Sequence, residues 1–379
     1  MNRKIKVLLV VPDFTSGIGA MARHLAKSVR GVDYYFYKSS DISKKFEAFL
    51  RLTNSVDIIH WLANLSWINF PESFDLKTLS IPCIATIHHV DERLIALGEV
   101  QEQKKVRMAS ICDAIQVVSA EWVDYVASRT KSNVFLAHHA IDPKQFIGNR
   151  IKKRPSERFK IGTFGYARTM TDHKRIDIML KALVELKNQG YCFDLIVQGP
   201  NWDELLSNFS HTNINVKNLG YRSTKKALRS YRYLDLYICS SDVEGGPLTV
   251  LEALASRVPV VSTKVGVARE ALAIGGGILV DKNNPKQLAS AIATLINKPD
   301  VYKKCVNETI QVSKNFSWKC VGEEYKKMYE FVNNHKKSLR KVSRYYIPVR
   351  LQRAIQINKE EKKILSTICK VLGKLNLTK

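Results

Sequence analysis

Ser240-Ser241-Asp242-Val243-Glu244-Gly245-Gly246-Pro247-Leu248-Thr249-Val250-Leu251-Glu252-Ala253 is the most informative stretch of this chain of 379 residues. It begins at the end of the apolar run Leu236–Ser240, turns through two glycines, and opens a helix predicted over Pro247–Ala255. Proline sits at the first helical position, where its missing N–H is no loss. Strand, glycine turn and helix in that order form the repeating unit of a parallel sheet. In such sheets ligands bind outside the carboxyl ends of the strands, and exposed amides at a helix N-terminus suit a diphosphate. Gly245, Gly246, Pro247, Leu248 and Thr249 are therefore candidates for a phosphate cradle.

The same alternation extends in both directions, with short β-rich apolar runs separated by longer helical patterns up to about Lys298, which predicts an α/β protein with parallel sheets. The runs of the first half are Ile5–Val11, Asp33–Tyr37, Val56–Leu62, Ile81–Ile87, Ala114–Ser119 and Asn133–Ala140, with helical stretches such as Met21–Val29 and Ala120–Arg129 between them. At Gly148-Asn149-Arg150-Ile151-Lys152-Lys153-Arg154-Pro155 the periodicity stops in a charged, proline-ended segment that reads as an interdomain linker. A second series succeeds it: Lys160–Tyr166, Phe193–Gly199, Ile214–Gly220, Leu236–Ser240, Pro259–Thr263 and Gly277–Val280, with helices at Arg175–Gln189, Pro247–Ala255 and Pro285–Asn297. The expected domains are 1–150, 151–315, a helix at 316–335 and a basic tail at 336–379. The length supports two cores.

A hydrophobic fraction of 45% with 25% charged residues is the balance of a folded protein. No segment approaches the roughly 18 to 20 apolar residues of a membrane span. The apolar start Ile5–Val11 stops too soon at Pro12-Asp13 for a secretory signal and reads as a first strand. Seven cysteines without a close pair read as reduced thiols, and the expected location is cytoplasmic. The net charge of +25 predicts attraction to a polyanion, either nucleic acid or an anionic membrane face.

Two carboxylates bracket the glycine turn. Glu244 precedes the helix and Glu252 lies more than a turn inside it, which at ~1.5 Å per residue plus the turn separates them by roughly 10 to 15 Å, about the distance from ribose to hexose in a sugar nucleotide. An anion between two carboxylates needs cations from elsewhere, and Arg168 and Lys174, after the second domain's first strand, are the natural suppliers. Out of this context, Glu244 would read as a solvated loop acid and Glu252 as a helix-surface glutamate.

The E-x7-E arrangement, followed by Ala253 to Thr263 and then Val265-Gly266, resembles the donor-binding motif of the family 4 retaining glycosyltransferases, which have the GT-B fold. Ala137-His138-His139-Ala140-Ile141-Asp142-Pro143 through Phe146 is similar to that family's interdomain stretch. Phe164-Gly165 through Arg168 and Lys174 to Asp177 is similar to its basic phosphate loop, and Phe316-Ser317-Trp318 through Tyr325 to its closing helix. The resemblance covers about residues 5 to 330. It implies two Rossmann-like domains facing across a cleft, with Glu244 on the transferred sugar, Glu252 on ribose hydroxyls, amides of Gly246 to Thr249 on sugar and phosphate, and Arg168 and Lys174 on the diphosphate. The basic loop departs from the family pattern: Gly165-Tyr166 and Lys174-Arg175 stand where the family usually has Gly-Arg and Lys-Gly.

In the first domain, Gly17-Ile18-Gly19 is a short glycine turn opening a helix, a pattern that also serves simple packing. The resemblance implies that Gly17 and Gly19 approach the donor diphosphate or acceptor. Thr86-Ile87-His88-His89-Val90-Asp91 ends another strand. His88 matches the family histidine that contacts the transferred sugar, while a lone histidine is otherwise an ordinary core residue. No cluster has metal spacing, so no metal is expected and no cofactor beyond the nucleotide-sugar donor as co-substrate. The implied reaction is front-face displacement of a hexose from a UDP- or GDP-sugar with retention, the departing diphosphate helping to deprotonate the acceptor hydroxyl.

Residues 336–379 hold thirteen Lys or Arg against Glu360 and Glu361. Their apolar residues Ile364, Ile368, Val371, Leu372 and Leu375 recur at helical spacing, as in a basic amphipathic helix on an anionic membrane surface or one docked on the protein with its basic face in water. A cationic sugar transferase suggests a glycan or lipid-linked acceptor at the inner membrane face, in polysaccharide or lipopolysaccharide synthesis. The alternatives are a catalytically inactive nucleotide-sugar-binding homologue and a basic nucleic-acid-binding protein; the latter lacks a recognition motif, so no nucleic acid is expected.

Overall fold

The structure, a computed structural model, describes residues 3–68, 70, 76, 79–146, 158–335 and 345–346. The basic tail lies outside the described residues apart from Tyr345 and Tyr346, and so does the linker segment Gly148–Pro155. The chain divides into two compact units, Met1–His139 with Trp318–Lys379, and Ala140–Ser317. The boundary thus falls just after the two histidines of the Ala137–Phe146 stretch, and the helix Trp318–Asn334 belongs with the first unit.

The first sheet is built from β1 (Ile5–Val11), β2 (Val32–Lys38), β3 (Ile58–Trp61), β4 (Cys83–Ile87), β5 (Ala114–Val117) and β6 (Asn133–Leu136) in the order β6-β5-β4-β3-β1-β2, with Tyr345–Tyr346 paired beside β6. The second is built from β7 (Phe159–Phe164), β8 (Phe193–Gln198), β9 (Asn215–Asn218), β10 (Leu236–Cys239), β11 (Val260–Thr263) and β12 (Gly277–Val280) in the order β12-β11-β10-β7-β8-β9. Every pairing is parallel. Parallel strands carry helices on both faces, so both faces of a central strand must be apolar, which is why β4, β10 and β11 are buried along their whole length, whereas the edge strand β9, Asn215-Val216-Lys217-Asn218, stays partly exposed. Strand β10 shows the consequence. Leu236 and Ile238 enter the core shared with the helices Ile176–Asn188 and Pro285–Asn297. Tyr237 and Cys239 enter the core shared with Leu248–Ala255 and Gly266–Ile274.

Each predicted strand is present, trimmed by a residue or more where its run reached into a loop. Three of the longer helices have no counterpart in the pattern of the sequence: Val100–Ala109, Gly266–Ile274 and Pro299–Asn315. The first is too charged for a clear apolar stripe, the second follows the glycine that ends the motif, and the third begins at Pro299, where the alternation has stopped. The helix after the glycine turn starts at Leu248, so Pro247 is its N-cap (φ −64°, ψ 90°) and not its first residue.

A buried polar chain fastens the helix Trp318–Asn334 to the first sheet. The Thr86 hydroxyl donates to Gln116 Oε1 (2.9 Å), so its oxygen receives the His60 Nε2–H (2.9 Å), and His60 Nδ1 accepts the Tyr329 hydroxyl (2.8 Å). Gln116 Nε2 donates to the Ala137 carbonyl (2.7 Å) and to the Tyr325 hydroxyl (2.8 Å). Glu324 accepts both the backbone N–H (2.9 Å) and Nδ1 (3.0 Å) of His138. Buried polar groups are tolerable when all are paired, and such a network specifies one docking arrangement where apolar contacts alone would allow several.

Candidate active site

The second sheet has the 3-2-1-4-5-6 strand order in its own numbering, which reverses direction between β7 and β10. A crevice opens at the carboxyl ends of the two strands flanking such a reversal. The loop leaving β7 carries Gly165 to Arg175, and the loop leaving β10 carries Ser240 to Pro247, so topology alone brings the predicted basic loop to the glycine turn. The contacts are direct. Lys174 Nζ donates to Glu244 Oε1 (2.9 Å), Ser241 Oγ donates to the same oxygen (3.2 Å), Ser240 Oγ donates to the Lys174 carbonyl (2.8 Å), and the Asp242 N–H to that of His173 (2.8 Å). Burial opposes the charge on Lys174, but the Glu244 carboxylate outweighs it and holds the ammonium above the ordinary lysine range.

Arg175 is already engaged. Its guanidinium pairs with Asp177 (2.9 Å) and Asp242 (2.9 Å), and also touches Asn283. It caps the helix Ile176–Asn188 in the left-handed region (φ 49°). That explains the departure seen in the sequence: a conformation natural for glycine is occupied here by arginine, held by two carboxylates. Arg168 differs: it is exposed, its backbone N–H donates to the Asp172 carboxylate (3.3 Å), and its guanidinium lies 5.8 Å above the Tyr166 ring with no carboxylate partner among the described residues. Of the two predicted cations, one is paired within the loop cluster and the other is available to an anion.

The turn owes its shape to a glycine farther along. A Cβ on Gly266 would lie 2.1 Å from the Gly245 carbonyl oxygen, and Val267 N–H donates to that oxygen (2.8 Å). The helix Gly266–Ile274 therefore clamps the Glu244–Gly245 backbone. Gly245 and Pro247 are buried, whereas Gly246, Leu248 and Thr249 are partly exposed; the amides that open a helix have no acceptor within it, although here the Val250 N–H turns back to the Pro247 carbonyl (3.0 Å). Glu252 is partly exposed, and its Oε2 accepts the Tyr231 hydroxyl at 2.7 Å. Enclosure by protein raises its carboxyl above the ordinary range, only partly offset by that hydrogen bond. Tyr231 and Ser241 had no signal of their own in the sequence, and Arg175 stood out only as a departure from the family pattern, since each acts through a partner elsewhere in the chain.

In the first unit, Gly19 lies where a Cβ would meet the Asp13 carbonyl oxygen at 2.2 Å, whereas nothing lies within 4 Å of one on Gly17. Packing thus demands glycine at 19. Asp13 accepts the N–H of Thr15 and Ser16, Ser16 caps the helix Gly17–Ser28, and the Ser16 N–H leads the hydrogen bonds that lower the Asp13 carboxyl. His88 is partly exposed, with both ring nitrogens engaged. Nε2–H donates to the Leu62 carbonyl (2.9 Å), which leaves Nδ1 to accept from His139 Nε2 (3.2 Å). Burial and then the neighbouring His139 lower His88 to about 3, so it is neutral at physiological pH. His139, two residues into the Ala137–Phe146 stretch, is a partner the sequence did not announce.

Residues 149–312 match the family Glycosyl transferases group 1. An uncharacterized glycosyltransferase of Methanocaldococcus jannaschii is 25% identical over 366 residues, covering 86% of this chain and 98% of its own length. The lipopolysaccharide core biosynthesis mannosyltransferase LpsB of Rhizobium meliloti is 37% identical over 92 residues, 23% of this chain and 26% of that protein. Among solved structures, Anabaena HepE in complex with UDP-glucose matches with a TM-score of 0.66 at 15% identity, over 86% of this chain and all of that one (100%). Sucrose-phosphate synthase from Thermosynechococcus elongatus matches with a TM-score of 0.65 at 16% identity, over 87% and 99%. The fold is GT-B, and the match to glycosyl transferases group 1 falls within the second unit, just short of its bounds Ala140–Ser317.

Proposed function

We propose that this protein is a retaining glycosyltransferase that moves a hexose from a nucleotide sugar to a hydroxyl of a glycan or lipid-linked acceptor. The observation that carries this reading is the Lys174–Glu244 pair at the sheet's reversal point, beside the N-terminus of the helix Leu248–Ala255 that carries the partly enclosed Glu252 a turn further in. A nucleoside diphosphate sugar offers the complementary chemistry: phosphates for Lys174, Arg168 and the first-turn amides, hexose hydroxyls for Glu244, and ribose hydroxyls for Glu252. Donor binding separates the ion pair, giving Lys174 a stronger anion and Glu244 hydroxyl donors. In the transfer step the bond between the hexose C1 and the phosphate oxygen breaks as C1 bonds the acceptor oxygen on the same face. The hydroxyl proton passes to the departing phosphate. The lysine, the arginine and the amides supply the positive charge that a divalent ion would otherwise bring. In the first unit, His88 and the Gly17–Gly19 turn are the candidate ligand-contacting groups.

UDP is the first nucleotide to test, because HepE was solved with UDP and UDP-glucose. The acceptor class rests on the charge of +25 and on the similarity to a lipopolysaccharide core mannosyltransferase, which favour a glycan assembled on a cytoplasmic membrane face. The test is a thermal-shift screen of UDP- and GDP-sugars, each with and without Mg2+, on the wild type and Glu252→Ala. One nucleotide class stabilises the wild type without metal, and stabilises the variant far less. No response to any nucleotide sugar would overturn the reading. For the membrane, washing with high salt should move the protein into the soluble fraction. An unchanged distribution would rule out electrostatic attachment.

A further inference from the structure

Glu252 and Tyr231 form a device that donor binding does not by itself require, although its role depends on the donor site proposed above. Tyr231 is 1% exposed and packs against the rings of Phe164 (centroids 4.8 Å apart) and Tyr237 (5.8 Å). Its hydroxyl reaches Glu252 Oε2 across 2.7 Å and donates, since a carboxylate only accepts. The second oxygen of that carboxylate, Oε1, accepts no hydrogen bond among the described residues, and the side chain is partly exposed. One oxygen is thus anchored by a rigid, buried ring, and the other is presented.

We propose that Tyr231 is the positioning residue that makes Glu252 a reader of hydroxyl groups, so that the site takes ribonucleotides in preference to deoxyribonucleotides. A free glutamate has three rotatable bonds, and ordering them opposes each hydrogen bond it makes. A carboxylate already held at one oxygen loses less freedom when a ribose hydroxyl meets the other. The held carboxylate also rejects the analogue lacking that hydroxyl, because a partly enclosed acceptor is left unpaired. If Tyr231 is only a core aromatic that happens to reach an acceptor, its hydroxyl contributes to folding and not to this preference.

The experiment is calorimetric titration of the full chain with UDP, GDP and their 2′-deoxy and 3′-deoxy counterparts, for wild type, Tyr231→Phe and Glu252→Ala. The wild type prefers the ribose form of whichever diphosphate it binds by tenfold or more, and Glu252→Ala removes the preference. Tyr231→Phe binds the deoxy form as the wild type does, while its preference for ribose falls at least threefold. Equal preference in Tyr231→Phe and wild type would overturn the proposal, as would a wild type indifferent to the hydroxyl. Should Tyr231→Phe not fold, Glu252→Asp draws the carboxylate back from an intact Tyr231 and must show the same fall. Binding of neither UDP nor GDP by the wild type is a separate result: it defeats the donor reading, and this inference with it.

Discussion

His60 makes the first unit acid-labile by a calculable amount. It is fully buried on β3 between Tyr329 and Thr86, and burial lowers its imidazole from 6.5 to about 3. In the unfolded chain the ring protonates near 6.5; in the folded protein it stays neutral at pH 5. Its stabilising contribution is therefore complete above 6.5 and is lost as pH falls, at ~1.36 kcal/mol per unit, or about 2 kcal/mol between 6.5 and 5.0. The hydrogen bonds agree with that sign. Thr86 receives the Nε2 proton while Tyr329 donates to Nδ1, so a second ring proton would face a donor. The measurement is guanidinium unfolding at pH 7.5 and 5.0 for wild type and His60→Gln, followed by the fluorescence of the adjoining buried Trp61. The variant can lose stability at both pH values, but its decrease between them must be smaller than that of the wild type by about 2 kcal/mol. Equal decreases would show that His60 does not remain neutral and buried, and that its bond to Tyr329 does not fasten the helix Trp318–Asn334 to β3 in this way.

Other consequences are equally direct. Lys174→Met and Glu244→Gln each leave a partly buried charge with less company, so the double variant should be less damaged than the sum of the singles by about 1 kcal/mol or more; strict additivity in melting experiments would mean the pair is not formed in solution. Arg175→Ala loses the links to Asp177 and Asp242 yet keeps a left-handed backbone, whereas Arg175→Gly loses the links and relaxes the backbone. Glycine should melt higher than alanine by the equivalent of ~1 kcal/mol, and identical melts would contradict the assigned φ. Glu252 binds a proton more readily in the folded chain than in the unfolded one, so its ionised form lowers stability above its ordinary pKa of 4.5 and costs nothing well below it. Glu252→Gln should accordingly melt above the wild type at pH 7.5, with the gap closing below pH ~4; a gap independent of pH would assign the effect to packing instead.

Much of this molecule was legible in its sequence. The central strands of both sheets could be read from their apolar runs, because a strand covered on both faces needs side chains that are mostly hydrophobic, while the edge strand β9 keeps its Asn and Lys residues at the surface. The glycine turn and its two glutamates were visible in local chemistry, since a strand, a turn and a helix are each specified by neighbours in the chain. Gly266 and Arg175 were visible as residues, but their purpose was not: one admits the Gly245 carbonyl at 2.1 Å from where a side chain would begin, and the other offsets a left-handed backbone with two carboxylates.

Three facts were decided only by the tertiary structure. Lys174 neutralises Glu244 across 70 positions of sequence, His139 engages Nδ1 of His88 across 51, and Tyr231 takes one oxygen of Glu252 across 21. Periodicity and propensity describe how a segment meets its immediate neighbours and which face it must bury. A hydrogen bond depends on where two side chains end, to within a few tenths of an ångström, after separate elements have packed. The sequence by itself therefore determined the sheets and the residue types brought to their carboxyl ends; the order of the strands decided which of those residues would meet, and with that, which charges are paired and which hydroxyls are held.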